Sequence, residues 1–111
     1  MKTTIYISFV YGGWYILFRK TVELPFVPFP GLTLTFSEAI ELELIENDRR
    51  HVSMSYDIEE NFFRIDIRES WKGGVSDETV DDEIEAFTTQ GWDRLDTTDV
   101  PQLKELMRRH G

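Results

Sequence analysis

Apolar side chains recur at every second position through almost all of the first 69 residues, and that pattern restricts most of the chain to β-strands. Ile5, Ile7, Phe9 and Tyr11 share one face, and Thr4, Tyr6, Ser8 and Val10 the other. Past Gly12-Gly13 the alternation resumes, with Trp14, Ile16, Phe18, Val22 and Leu24 opposed by Tyr15, Leu17, Arg19, Thr21 and Glu23. Two glycines accept the positive φ that a primed turn requires, so residues 3–24 read as a β-hairpin. Its second face (Tyr6, Val10, Tyr15, Leu17) is also apolar, which a hairpin with one face in water does not need. The expectation is that C-terminal helices cover that face.

The same alternation argues against a membrane or secretory reading of the N-terminus. The uncharged run from Thr3 to Phe18 is shorter than the about 20 residues of a typical span, and it lacks a small-residue cleavage site. With neither signal nor span, the expected location is the cytoplasm.

Leu24 to Gly31 carries Pro25, Pro28 and Pro30, which remove backbone donors and fix φ, so it reads as an extended connection. Period two then returns. Leu32, Leu34 and Phe36 make one strand, Ile40, Leu42 and Leu44 another, Val52, Met54 and Tyr56 a fifth, and Phe63, Ile65 and Ile67 a sixth. Turn residues separate them at Ser37-Glu38, at Asn47-Asp48 and across Asp57 to Asn61. Short connections between successive strands favour a meander.

After the loop Ser70-Trp71-Lys72-Gly73-Gly74 the period changes. Val80, Ile84 and Phe87 are spaced four and three apart, which predicts a helix, with Ser76 or Asp77 as N-cap and Gly91 closing it. A second helix begins near Asp99, which stands at capping-box spacing from Gln102; Leu103, Leu106 and Met107 form its apolar stripe. Trp92-Asp93-Arg94-Leu95, between the helices, reads as a short seventh strand or a loop. The predicted architecture is α+β in a single domain, 1–111. A curved antiparallel sheet of about six strands (about 3–69) is followed by two helices packed on it (about 76–110). A partly closed barrel is the variant that would hide the sheet edges.

Composition removes whole classes of function. The chain has no cysteine, which excludes disulfide scaffolds, thiolate metal sites and thiol nucleophiles. His51 and His110 lack metal-ligand spacing, and no GxSxG, P-loop or GxGxxG pattern occurs. Glu41 and Glu43 share the outward face of one strand, where nothing would shift their pKa values toward catalysis. No catalytic residue, metal site or cofactor is therefore expected. Arg64 and Arg68 flank Asp66 on the outer face of the last strand, and cross-strand pairing with Glu41, Glu43 or Glu46 is their simplest use.

Charge supplies the most specific functional signal. Twenty-one acids against twelve bases give a net charge of -9, which disfavours direct nucleic-acid binding. Nine of those acids and a single base, Arg94, lie between Gly73 and Asp99, while the rest of the chain is near neutral. With Val80, Ile84 and Phe87 turned to the core, Asp77, Glu78, Asp81, Asp82 and Glu85 lie on an exposed arc, and with the flanking loop the acidic segment 77–99 is suited to a basic surface on another protein. Such an arc would fit an inhibitor or immunity-type protein, or a nucleic-acid mimic; the plainer use of the same acids is solvation and helix-dipole complementarity.

Two further features are aromatic. Phe26 and Phe29, on the stiff Pro-rich crossover, either plug the end of the core or flank a groove, and Trp71 would be the rim of a small-molecule or catalytic cup lined by sheet aromatics. The leading expectation is a small non-enzymatic binding protein. The alternatives are that cup and an accessory domain forming homodimers through the hairpin.

Overall fold

The hairpin forms as the glycine pair dictates. In a computed structural model that describes residues 1–71 and 75–110, β1 (Lys2–Tyr11) and β2 (Trp14–Glu23) pair antiparallel from Lys2 opposite Glu23 to Tyr11 opposite Trp14. Gly12 takes φ +58° and Gly13 stays out of the left-handed region, the pattern of a type II′ turn. The other strands are β3 (Thr33–Ser37), β4 (Ile40–Glu43), β5 (Arg50–Asp57), β6 (Phe62–Ser70) and β7 (Asp93–Arg94); the helices are α1 (Asp77–Thr89) and α2 (Val100–His110). The chain is thus α+β, a mostly antiparallel set of strands followed by two C-terminal helices.

Strand neighbours differ from a meander. The main sheet has the order β5-β6-β1-β2-β7, and β3 and β4 form a separate two-stranded ribbon. β6 lies parallel beside β1, with Ile5 opposite Ile65 and Ile7 opposite Ile67. Alternation reports which face a side chain occupies, not which strand lies beside it. Here the Pro25–Pro30 crossover lifts the next two strands out of the sheet, and the second edge of β1 is left for β6. The sheet is open rather than a barrel, since β5 and β7 end it on opposite sides without pairing.

One face of the sheet carries the core. Ile5, Ile7, Phe9, Ile16, Phe18, Ile65 and Ile67 are buried with Val80 and Phe87 of α1, Leu103 and Met107 of α2, and Leu34, Ile40 and Leu42 of the ribbon. Phe87 stacks on Phe18 at 4.8 Å and meets Phe9 edge-on at 5.7 Å. Each fully buried side chain of this size contributes about 1.5–3 kcal/mol.

Helices and ribbon therefore sit on the face of Phe9 and Phe18. The expectation that the helices cover Tyr6, Val10, Tyr15 and Leu17 is overturned, since these residues line hollows on the other face. Part of the shelter there is local. The Arg64 guanidinium lies over the Tyr6 ring at 4.3 Å, and its long stem covers apolar surface while its head stays in water.

Both helices start where their caps require. The Ser76 hydroxyl accepts the Thr79 N–H at 3.2 Å, and the Asp99 carboxylate accepts the Gln102 N–H at 3.1 Å. Gly91, at φ +82°, follows the last turn of α1 and lets the chain reverse into Trp92.

Candidate functional site

The acids of α1 fall on three different arcs. Asp77 and Asp81, one turn apart, face α2. Arg108 donates to Asp77, and Lys104 Nζ donates to Asp81 at 2.5 Å. The Arg108 hydrogen bond holds the Asp77 carboxyl below its usual value. Glu83 turns toward the sheet. Burial raises its pKa and the neighbouring Glu69 adds to the rise, while Arg50 opposes it. Glu78, Asp82 and Glu85 recur at i, i+4 and i+7 and stay exposed, and among the described residues no ion pair involves them.

Further along, the acidity is again partly spent internally. Asp93 pairs with Arg19 at 3.6 Å across the β2–β7 contact. The Asp96 side chain is 0% exposed and accepts from Arg94, from Leu17 N–H at 2.9 Å and from Thr98 N–H at 3.1 Å. Burial works against its charge, but those donors outweigh it and hold the Asp96 pKa low. Leu95 N–H also bonds Leu17 O, so residues 95–98 seal the outer edge of β2.

The arginines of β6 do not reach the acids expected for them. Arg64 pairs with Asp66 on its own strand at 2.8 Å, and Glu46 contacts His51 at 3.1 Å. Glu41 and Glu43 belong to the ribbon, outside the sheet that holds β6.

Arg50, Glu69 and Glu83 form a cluster that the sequence reading missed. Arg50 donates to Glu69 at 3.0 Å and to the Glu43 carbonyl at 2.9 Å, beside a hollow of about 90 Å³ that Glu83 and Phe87 also line. A signal for Glu83 was present. It stands three residues after Val80 and four before Phe87, within the stripe that faces the core. No group of three or more His, Asp or Glu side chains among the described residues is placed to hold a metal ion.

The aromatic candidates separate. Phe26 and Phe29 are 40% and 53% exposed while Pro28 between them is buried, so the crossover inserts a proline and presents its phenylalanines. They do not plug the core. Trp71 stacks on Phe9 at 5.0 Å, half-buried at the core margin rather than on the rim of a cup. The Lys72–Gly74 part of its loop lies outside the described residues. The open face of the sheet does carry two adjoining hollows of about 450 and 440 Å³ that share Ser8, Leu17 and Arg68. Their aromatic lining is limited to Tyr6, Trp14 and Tyr15, because Phe9 and Phe18 point the other way.

Comparison of the chain with protein-family models, curated proteins and solved structures finds no match. Among the described residues no helix is long and apolar enough to cross a membrane.

Proposed function

We propose that this chain is a small non-enzymatic binding protein that engages a basic surface of another protein through Glu78, Asp82 and Glu85. The observation that carries this reading is the division of the α1 acids. Asp77 and Asp81 are paired with Arg108 and Lys104, whereas the i, i+4, i+7 stripe beside them has no ion-pair partner among the described residues. Three like charges in one line repel each other and cost helix stability. They gain a use when a partner supplies cations, and they speed its approach.

The stripe is narrower than the five-residue arc expected from sequence, and this sharpens the experiment. The Glu78→Lys, Asp82→Lys, Glu85→Lys triple variant is compared with the native chain as bait in native lysate, at low and high salt. A partner captured by the native chain, released by salt and lost to the variant with its circular dichroism unchanged supports the reading. Capture of the same partners by the triple variant overturns it.

A further inference from the structure

The two edges of the main sheet are finished differently. On one side β7 and the bonded segment 95–98 close β2. On the other, β5 runs for 8 residues with no proline, and its central Val52-Ser53-Met54-Ser55-Tyr56 carries no charge. Long edges are usually blunted by lysine, proline, bulges or a covering loop. Here the loop before β5 covers only its start: Asn47 bonds the Arg50 N–H and C=O, and the Glu46 carboxylate reaches the Val52 N–H at 3.4 Å. Among the described residues no such contact reaches Met54 or Tyr56.

The hydrogen-bonding phase of that edge follows from the β5–β6 ladder. Ser70 N–H donates to Arg49 O at 2.8 Å, so odd-numbered residues of β5 turn their backbone groups toward β6. Val52, Met54 and Tyr56 turn theirs outward, and the contact of Glu46 with Val52 N–H agrees. Their side chains lie on the core-bearing face, and Tyr56 is 43% exposed. Just past the strand, Ile58 is 81% exposed.

We propose that β5 pairs antiparallel with β5 of a second copy of this chain, about a twofold axis through Met54, joining the two sheets into one. A twofold axis perpendicular to the sheet places Met54 opposite Met54, Val52 opposite Tyr56, Ser53 opposite Ser55 and His51 opposite Asp57. Each of these pairings is complementary. The outward-turned residues meet as reciprocal N–H···O=C pairs, Met54 with itself and Val52 with Tyr56. Val52 and Tyr56 make a β-branched–aromatic cross-strand pair, the serines can hydrogen-bond, and His51 faces a carboxylate. Arg50, the other outward-turned residue, already bonds Asn47 through both its N–H and its C=O. Shifting the axis to Ser53 or Val52 would set Tyr56 or Met54 against that occupied residue, and shifting it to Ser55 or Tyr56 would set Val52 past the end of the strand. The register through Met54 is the one that pairs Val52, Met54 and Tyr56 entirely among themselves. This surface is separate from the α1 stripe, so either can fail without the other.

Sedimentation measured up to millimolar concentration tests the pairing in the whole chain. The native protein is expected to dimerise. Amide exchange at Val52, Met54 and Tyr56 should slow as concentration rises, while Ser53 and Ser55, already bonded to β6, should not change. Tyr56→Pro removes an outward N–H from an edge position that tolerates proline, and should leave a folded monomer with circular dichroism like the native chain's; its unfolding midpoint falls with the lost Tyr56–Phe63 contact and the lost dimer. His51→Asp sets two acids face to face, keeps the backbone intact and should weaken the dimer at least several-fold even if the proline variant misfolds. A native chain that stays monomeric overturns the proposal. So does a dimer that keeps these amides unprotected, or one lost on Tyr15→Lys in the open face but not on His51→Asp.

Discussion

The carboxylate of Asp96 accepts the backbone N–H of Leu17, 79 residues away in sequence, at 2.9 Å. This bond joins the segment between the helices to the first hairpin. It does so with one of the nine acids that the sequence concentrates between Gly73 and Asp99. The Arg94 guanidinium, the Thr98 N–H and a side chain withdrawn from solvent make Asp96 a structural anchor.

Replacing it should therefore be costly. Asp96→Asn keeps the shape but gives up the charge-assisted bonds, and should destabilise the fold by about 2 kcal/mol in chemical denaturation. The low folded pKa also sets a pH dependence. Its contribution is fully present above the unfolded carboxylate value of about 3.9 and is lost as pH falls through the folded value. The native chain should lose stability in that acid window more steeply than Asp96→Asn.

Glu83 should show the opposite sign. Its folded pKa is raised by burial and by Glu69. The folded state therefore holds a proton that the unfolded state has released, and stability falls as pH rises from the unfolded to the folded value. Glu83→Gln should unfold at a higher temperature than the native chain at neutral pH, and the difference should vanish below pH of about 4. Equal midpoints at neutral pH would show that Arg50 fully compensates the buried charge.

Phe87 joins α1 to the sheet by stacking on Phe18 and meeting Phe9 and Trp92 edge-on. Phe87→Ala should cost about 3–5 kcal/mol, measured by urea unfolding, because the rigid strands beneath cannot collapse into the space. Val80→Ala, at the first turn of the same stripe, removes less volume and should cost less.

The helix–helix ion pairs lie at the surface, with Asp81 and Arg108 largely exposed, and should contribute little to stability. A double-mutant cycle on Lys104 and Asp81 should give a coupling of about 0.5 kcal/mol that fades in high salt. A coupling several times larger would mean that the pair positions α2, which would change how much of the α1 acidity is free for a partner.

The strands and helices were legible in the sequence because each rests on a local rule. Period two placed Ile5, Ile7 and Phe9 on one face, Gly12-Gly13 closed the hairpin, and Ser76 and Asp99 stand at the helix starts. The candidate site was legible only in part. The spacing of Val80, Ile84 and Phe87 put the α1 acids outside the core. It could not show that Arg108 and Lys104, from 23 to 31 residues later, would take Asp77 and Asp81. Nor could it show that Glu83 would meet Glu69, or that Phe26 and Phe29 would stand in water.

Alternation is a property of each strand alone, so the sequence by itself determined which side chains share a face and where the period changes from two to that of a helix. Which strand lies beside which, and which face the helices cover, depend on contacts between segments far apart in the chain. Tertiary packing decided that β6 would lie parallel to β1, that the face of Phe9 and Phe18 would be covered, and that β5 would form the outer edge of the sheet, covered only at its start. The physical reason is that burial and backbone hydrogen bonding are satisfied globally. One face can be buried only once, and an edge finds a partner only where the rest of the fold leaves one.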